Sequence, residues 1–201
     1  MAAILVVLFA MSVVDADASP QIDAPTAVVR LDNVALVPAD SLDFAESRAA
    51  EIFSRIGVRV TWIDEETAVR EHLRPPFTVV VINSDVQLLA RPAVADALGF
   101  ADPGVSRAHV IYDRVEALRA RSPRSLASLL GDVLAHELGH LMLPSPHHSA
   151  GGIMRSGVDV HARALETFTD PQARQIVSRL TVGRCTRTTC DPDHTPWLFE
   201  K

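Results

Sequence analysis

Cysteine is nearly absent from this chain of 201 residues, which holds only Cys185 and Cys190, close to the C-terminus. The residues around them are mainly Thr, Arg and Asp, which offer too few further ligands for a metal site built on these two thiols. In an oxidising compartment, a disulfide that closes the short loop between them is the simpler interpretation. We therefore expect a C-terminal tail, residues 185–201, that contains a disulfide.

Positive charge is scarce as well. The chain has 19 Lys and Arg residues against 25 Asp and Glu residues, which gives a formal net charge of −6, and no basic patch is present. Proteins that bind nucleic acid present clustered Lys and Arg side chains to the phosphates. The composition therefore argues against a nucleic-acid partner.

Long apolar stretches are missing, and the most extended one lies at the N-terminus. Ala2–Val14 is an almost unbroken apolar run that falls short of the roughly 20 residues a membrane-spanning helix needs. It leads to Ala16-Asp17-Ala18, a small-x-small site of the kind that signal peptidases cut, although no Lys or Arg precedes the run. We predict a signal peptide at residues 1–18 and a secreted protein, extracellular or periplasmic, without stable membrane association after cleavage. A buried N-terminal strand or a retained anchor is the alternative.

Residues 19–184 contain no repeat, low-complexity tract or interior linker, so we expect a single domain with a sizeable core. The apolar periodicity predicts the order β-α-β-β-β-α-α. The predicted strands are Thr26–Leu31, Val58–Ile63, Phe77–Ile82 and His109–Tyr112. The predicted helices are Ser41–Ile56, Pro123–Leu143 and Pro171–Leu180. Pro92–Gly104 is interpreted as a loop, with a helical turn at Ala93–Leu98.

The helix predicted to end near Leu143 contains the word HELGH at residues 136–140. Residues four apart lie on one helical face with Cβ atoms about 5–6 Å apart, so His136 and His140 can bind the same Zn²⁺ ion. Glu137 lies beside that metal, where it can accept a proton from a water that the metal activates. Two surface histidines on a core helix are the alternative reading of this word.

The segment after this helix carries His147 and His148, then Ser149 and a glycine pair, and then Met154. A third imidazole beyond an HExxH helix, followed by a turn that ends in methionine, resembles the metzincin metallopeptidases, whose pattern is HExxHxxGxxH with a Met-turn. The spacing HS..GIM resembles the matrix-metalloprotease branch, and HELGHLML…HS..GIM is similar to uncharacterised bacterial secreted proteins. The specific resemblance covers residues 134–155.

Within this resemblance, His136 and His140 are implied as zinc ligands, Glu137 as the catalytic base and Met154 as the Met-turn methionine under the metal. The family's turn glycine and third histidine would fall at Leu143 and Pro146, so this chain departs from the pattern at both positions. The candidates for the third ligand are instead His148 and His147. His148 is preferred because Ser149 and the Met-turn follow it at the better spacing.

Two other readings of the site remain open. In a gluzincin-type peptidase, a glutamate from a second helix is the third ligand, and Glu166 could take that role. No cysteine precedes the HELGH word, so we do not expect a cysteine-switch propeptide. A non-catalytic extracellular module that binds peptides and is stabilised by the same zinc is the second alternative. Glu137 favours the enzyme, because a structural zinc site needs no base beside the metal.

The resemblance implies an α/β sandwich with a mixed twisted sheet and an antiparallel edge strand. The active-site helix packs on this sheet and is followed by the Met-turn and a C-terminal helix. Ala108–Asp113 is the candidate edge strand, which would pair with an extended peptide, and an ordinary core strand is the alternative. The implied function is a secreted zinc-dependent endopeptidase with one Zn²⁺ per chain, monomeric, that acts on peptide or protein substrates.

Overall fold

The computed structural model describes residues 24–85, 96–145 and 147–185. The predicted signal peptide and Cys190 lie outside these ranges, so cleavage after residue 18 and the disulfide stay predictions. None of the helices in the described ranges is long and apolar enough to cross a membrane.

Five strands, five α-helices and one short 3₁₀ helix make up these ranges. In chain order they are β1 (Thr26–Asn33), α1 (Ala39–Ser54), β2 (Arg59–Ile63), α2 (Glu65–Arg70), β3 (Phe77–Ile82), β4 (Gly99–Asp102), the 3₁₀ helix (Pro103–Val105), β5 (Arg107–Ile111), α3 (Tyr112–Arg119), α4 (Leu126–Met142) and α5 (Asp170–Cys185).

The strands form one mixed sheet in the order β2-β1-β3-β5-β4. The β2-β1, β1-β3 and β3-β5 pairs are parallel, and β4 runs antiparallel to β5 at the edge. Alternate residues of the parallel strands are buried on one face, as the period of two in a strand requires, for example Ala27 and Val29 in β1 and Val79 and Val81 in β3. The predicted α/β class with a mixed sheet is confirmed.

The edge-strand prediction was wrong. The strand at Ala108–Asp113 is β5, which ends at Ile111 and hydrogen-bonds to β3 on one side and to β4 on the other. The edge is β4, inside the segment that was interpreted as a loop. Four residues that begin with glycine and stop before Pro103 are too few to show an alternating pattern. The first half of the helical turn predicted at Ala93–Leu98, residues 93–95, lies outside the described residues.

Helix α4 lies in the core beside α1. It is buried almost all round, and its apolar residues pack with α1 and with the inward-facing side chains of the sheet in one cluster. The helix begins at Leu126, three residues later than predicted, because Ser125 is its N-cap and accepts a hydrogen bond from the backbone N–H of Ser128. The sheet and α1 therefore hold α4 in a fixed position.

Gly131 marks the closest approach of α1 and α4. A Cβ atom at this position would lie 2.8 Å from the carbonyl oxygen of Ala45 and 2.9 Å from the Cβ of Arg48. We expect Gly131→Ala to lower the free energy of unfolding by about 1–3 kcal/mol through overpacking, although alanine favours a helix by up to ~1 kcal/mol. Urea unfolding measures this change. Gly157→Ala is the control, because nothing lies within 4 Å of a Cβ there, and an equal loss in both variants would contradict the close approach.

Glu46 on α1 predicts a pH dependence of stability. Burial, then the negative charges of Asp43 and Asp64, raise its pKa from 4.5 to about 7. Because the folded protein holds this proton more tightly than the unfolded chain does, the free energy of unfolding falls as the pH rises from about 4.5 towards 7. Urea unfolding at several pH values should show a shallower fall for Glu46→Gln than for the wild type. Identical slopes would contradict the shift.

Candidate metal centre

The last two turns of α4 and the segment that follows it form the candidate site. His136 and His140 lie one helical turn apart on the same face of α4. The helix ends at Met142, and Leu143 continues in an extended conformation with φ −86° and ψ 145°. This exit leads the chain through Pro144 into the segment that carries His147 and His148.

Three histidines converge at this point. One ring nitrogen from each of His136, His140 and His148 lies within 4.8 Å of the others. The ring centroids are 4.7, 5.2 and 5.1 Å apart, which is close to an equilateral triangle. The Nε2 atoms of His136 and His140 are 3.0 Å apart, near the roughly 3.4 Å between two nitrogens bound to one tetrahedral zinc ion at about 2.0–2.1 Å.

Hydrogen bonds within the turn determine where His148 lies. The backbone N–H of Ser149 donates to the carbonyl of Met154 at 2.8 Å, and the Ser149 hydroxyl donates to the carbonyl of Gly151 at 2.7 Å. His147 is exposed and outside the three-histidine group, and its N–H donates to the Ser145 hydroxyl at 3.4 Å. The structure thus brings His148, and not His147, to the other two imidazoles.

Met154 is fully buried beneath the HELGH word. A Cβ atom at Gly139, between the two helical histidines, would lie 2.5 Å from the Sδ of Met154 and 2.9 Å from the ring of Phe168. Only glycine at this position lets the methionine approach the helix so closely. The turn itself uses Gly152, whose φ of +72° suits glycine. The structure thus packs Met154 against Gly139 of α4.

A backbone carbonyl orients the first of the three imidazoles. His136 Nδ1 lies 2.7 Å from the carbonyl oxygen of Ile153, and because a carbonyl only accepts, Nδ1 carries the proton. The lone pair is therefore on Nε2, which faces the other histidines, and this is the tautomer that binds a metal. The donor set and its geometry fit Zn²⁺, the cofactor predicted from the sequence.

The surroundings favour the neutral form of the two helical imidazoles. Burial lowers the pKa of His136. Burial, together with the neighbouring His136 and His148, lowers the pKa of His140 to about 4. A metal binds the neutral form of imidazole and competes with the proton for it. The two helical histidines are therefore in the metal-binding form at neutral pH.

Glu137 is 5% exposed and lies against β4, where a Cβ at Gly99 would be 2.7 Å from its Oε1. Its Oε2 has no hydrogen-bond partner among the described residues. Burial raises the pKa of this carboxyl group to about 8. A divalent cation held by the adjacent imidazoles favours the carboxylate and lowers the pKa again.

Glu166, the ligand of the gluzincin alternative, is not in the three-histidine group. Its Oε1 accepts a hydrogen bond from Arg155 Nη2 at 2.8 Å.

A cavity of about 370 Å³ lies beside the three-histidine group, and His136, Glu137 and His148 are among the residues that line it. Leu98 and Gly99 line one side of the cavity, and residues 155–158 after the methionine turn line another.

Two solved structures share this fold. One is a zinc-dependent peptidase from Methanocorpusculum labreanum, with a TM-score of 0.51, 16% identity, and coverage of 74% of this chain and 99% of that one. The other is archaemetzincin from Methanopyrus kandleri, with a TM-score of 0.50, 16% identity, and coverage of 81% and 98%. No protein-family model matches the chain, and no curated protein matches it. At this identity the likeness shows the fold.

Sequence reasoning missed several residues that shape the site. Gly99 had one signal, since a glycine in a strand often marks a close approach of the backbone, but β4 itself was not predicted. The carbonyl of Ile153 has no sequence signature at all. Asp132, one turn before His136 on α4, was not considered, although a buried acid in an apolar helix indicates a charged partner.

Removing single imidazoles tests the ligand set. We expect wild-type protein loaded with zinc to hold about one ion per chain and His148→Ala to hold well under half of that, because two imidazoles alone bind zinc weakly. His147→Ala and Glu166→Gln are expected to keep the ion. Metal analysis after dialysis measures the content. Zinc retention by His148→Ala, or its loss from His147→Ala or Glu166→Gln, would contradict this ligand set.

Proposed function

We propose that this protein is a zinc-dependent metallopeptidase, and specifically a secreted endopeptidase that cleaves peptide or protein substrates as a monomer. One observation carries the proposal: three imidazoles converge directly beside Glu137, a buried carboxyl group with an unpartnered oxygen. A structural zinc site is closed by four protein ligands, whereas a catalytic site has three and leaves a position open. Three histidines next to a base match the catalytic kind.

The fold supports the same proposal. Of the two structures named above, one is described as a zinc-dependent peptidase and the other as an archaemetzincin, and this chain spans nearly the whole length of each. The HELGH word, the third histidine and the methionine turn resemble the metzincins more broadly. The finer resemblance to the matrix-metalloprotease branch rests on the spacing of His148, Ser149 and Met154 alone.

The proposed mechanism divides the work among a few groups. His136, His140 and His148 would hold the ion, each through one ring nitrogen. When bound, Zn²⁺ supplies Lewis-acid chemistry, which polarises a peptide carbonyl and acidifies water. Glu137 accepts the proton of the attacking water and later delivers it to the leaving amine. Its burial excludes bulk water, which strengthens its electrostatic interaction with the reacting atoms.

Strand β4 offers a means of holding the substrate. Its outer edge has no partner strand in the ranges that the structure describes. Its first residue, Gly99, lies close to Glu137, because a Cβ atom there would be 2.7 Å from Oε1. An extended peptide that adds to this edge through main-chain hydrogen bonds would pass close to the base and the imidazoles. Binding through the backbone suits an endopeptidase, because it requires neither chain end.

Glu137→Gln tests the proposal while preserving the shape of the side chain. We expect kcat/KM for a protein substrate such as casein to fall by about 10²–10⁴-fold, with zinc content unchanged. Glu51→Gln, an exposed acid on α1, is the control and should hydrolyse normally. A chelator should abolish wild-type hydrolysis, and zinc should restore it. Full turnover by Glu137→Gln would contradict the proposed base, and a zinc-loaded wild type that binds peptides without cleaving them would identify the non-catalytic module.

A further inference from the structure

A buried ion cluster lies one helical turn before the metal centre. Asp132 is 2% exposed and precedes His136 by four residues, on the same face of α4. Its Oδ1 accepts a hydrogen bond from Arg48 Nε at 2.6 Å, and its Oδ2 accepts one from Arg124 Nη2 at 2.5 Å. The two guanidinium groups satisfy both carboxylate oxygens, so this buried charge is fully paired.

The two arginines have different further contacts. Arg48 belongs to α1, and its guanidinium makes no hydrogen bond to residues 155–161 within the described chain. Arg124 lies just before α4 and donates from Nη1 to the carbonyl of Asp159 at 3.0 Å and from Nη2 to that of Ser128 at 3.3 Å. Arg124 therefore joins α4 to the segment that follows the methionine turn.

Ser122 makes a second connection to the same segment. Its hydroxyl donates to the carbonyl of Val160 at 2.6 Å, next to the carbonyl that Arg124 holds. Both connections end on backbone oxygens, so they fix the path of the main chain whatever side chains it carries. Within the segment, Arg155 pairs with Asp159 at 3.1 Å and with Glu166 at 2.8 Å.

The tethered segment is a wall of the cavity beside the metal centre. Residues 155–158 line the cavity that His136, Glu137 and His148 also line, and Asp132 lines it from the side of α4. Residues 159 and 160, which carry the tethered carbonyls, follow directly. Arg124 and Ser122 thus set the distance between this wall and α4 at the end of the wall that carries residues 159 and 160. Asp132 pairs with Arg124 and so connects it to the helix that carries His136.

We propose that Arg124 and Ser122 are positioning residues that set the width of this cavity, and with it the affinity for substrate side chains that enter the cavity. The inference rests on the proposed function. Neither residue contacts the metal-binding imidazoles. Replacing Arg124 or Ser122 should therefore weaken the binding of ligands that occupy the cavity and leave unchanged the affinity for a ligand that contacts only the metal. Arg48 provides the matched control, because its removal breaks the same buried ion cluster and leaves both tethers in place.

Two hydroxamate probes distinguish binding to the cavity from binding to the metal. Acetohydroxamate can bind zinc and is too small to fill the cavity, whereas a peptide hydroxamate with a leucine side chain can do both. Their dissociation constants are measured on zinc-loaded wild type, Ser122→Ala, Arg124→Gln and Arg48→Gln. We expect the leucine probe to weaken about 3–10-fold in each tether variant, as loss of a hydrogen bond predicts, with acetohydroxamate unchanged. In Arg48→Gln the ratio of the two constants should match the wild type. For a leucine-containing peptide substrate, the tether variants should raise KM more than they lower kcat.

Hydrogen exchange in the metal-free protein gives a readout that needs neither zinc nor hydrolysis. We expect faster exchange at the amides of residues 156–161 in Ser122→Ala and Arg124→Gln, and wild-type exchange there in Arg48→Gln. If Arg124→Gln does not fold, Ser122→Ala decides the question, because it removes two neutral hydrogen bonds, one to the Val160 carbonyl and one from the Arg124 backbone N–H, and no charge.

The outcomes separate this inference from the proposed function. If the tether variants bind acetohydroxamate normally and the ratio of the two dissociation constants is unchanged, the proposed role of Arg124 and Ser122 is wrong, whereas the metal centre is unaffected. A second outcome is that Arg48→Gln changes the ratio of the two dissociation constants and the hydrogen exchange as much as the tether variants do. That result would show general destabilisation and would also overturn the inference. If zinc-loaded wild type bound neither probe, the metal centre itself would be wrong and the inference would fall with it.

Discussion

The hydrogen bond from the His136 imidazole to the Ile153 carbonyl is the contact on which the site depends. It assigns the tautomer of His136, and it joins α4 to the turn before Met154. The same turn returns a bond from the Met154 carbonyl to the N–H of Ser149, the residue after His148. These two hydrogen bonds connect the turn to α4 and to the residue after His148. The turn that orients the His136 imidazole therefore also positions His148.

The departure from the metzincin pattern has a structural reason. Where that family has a glycine, Leu143 is buried and extended, with φ −86°, so it needs none of the left-handed freedom that glycine provides. The chain leaves α4 in an extended conformation at Leu143, and the converging histidine is His148, two positions beyond the third histidine of the family pattern. The φ of +72° appears later, at Gly152. The extended conformation at Leu143 and the later position of the third histidine therefore occur together in this chain.

Sequence reasoning reached the parts of the site that local spacing determines. The face shared by His136 and His140 and the buried strands follow from short-range periodicity, whereas the preference for His148 over His147 rests on the metzincin resemblance. The edge strand could not be predicted, because Gly99–Asp102 is too short to show a period and acquires its role by pairing with β5. The ion cluster was also hidden, since Arg48 and Asp132 are 84 positions apart in sequence. Pairing over such separations is a property of the fold, and no local pattern records it.

Two acids on α4 differ in whether their buried oxygens have hydrogen-bond partners. Asp132 lies in the same helix, is buried as deeply as Glu137, and has both oxygens paired with arginines. Glu137 Oε2 and His140 Nδ1, in contrast, are buried without a hydrogen-bond partner among the described residues. An unpaired buried polar group costs free energy, and the rest of α4 shows that the fold is able to pair a buried acid. Proteins tolerate such costs mainly where function requires them. The contrast between these two acids on one helix therefore supports Glu137 as the reacting group and Asp132 as a structural one.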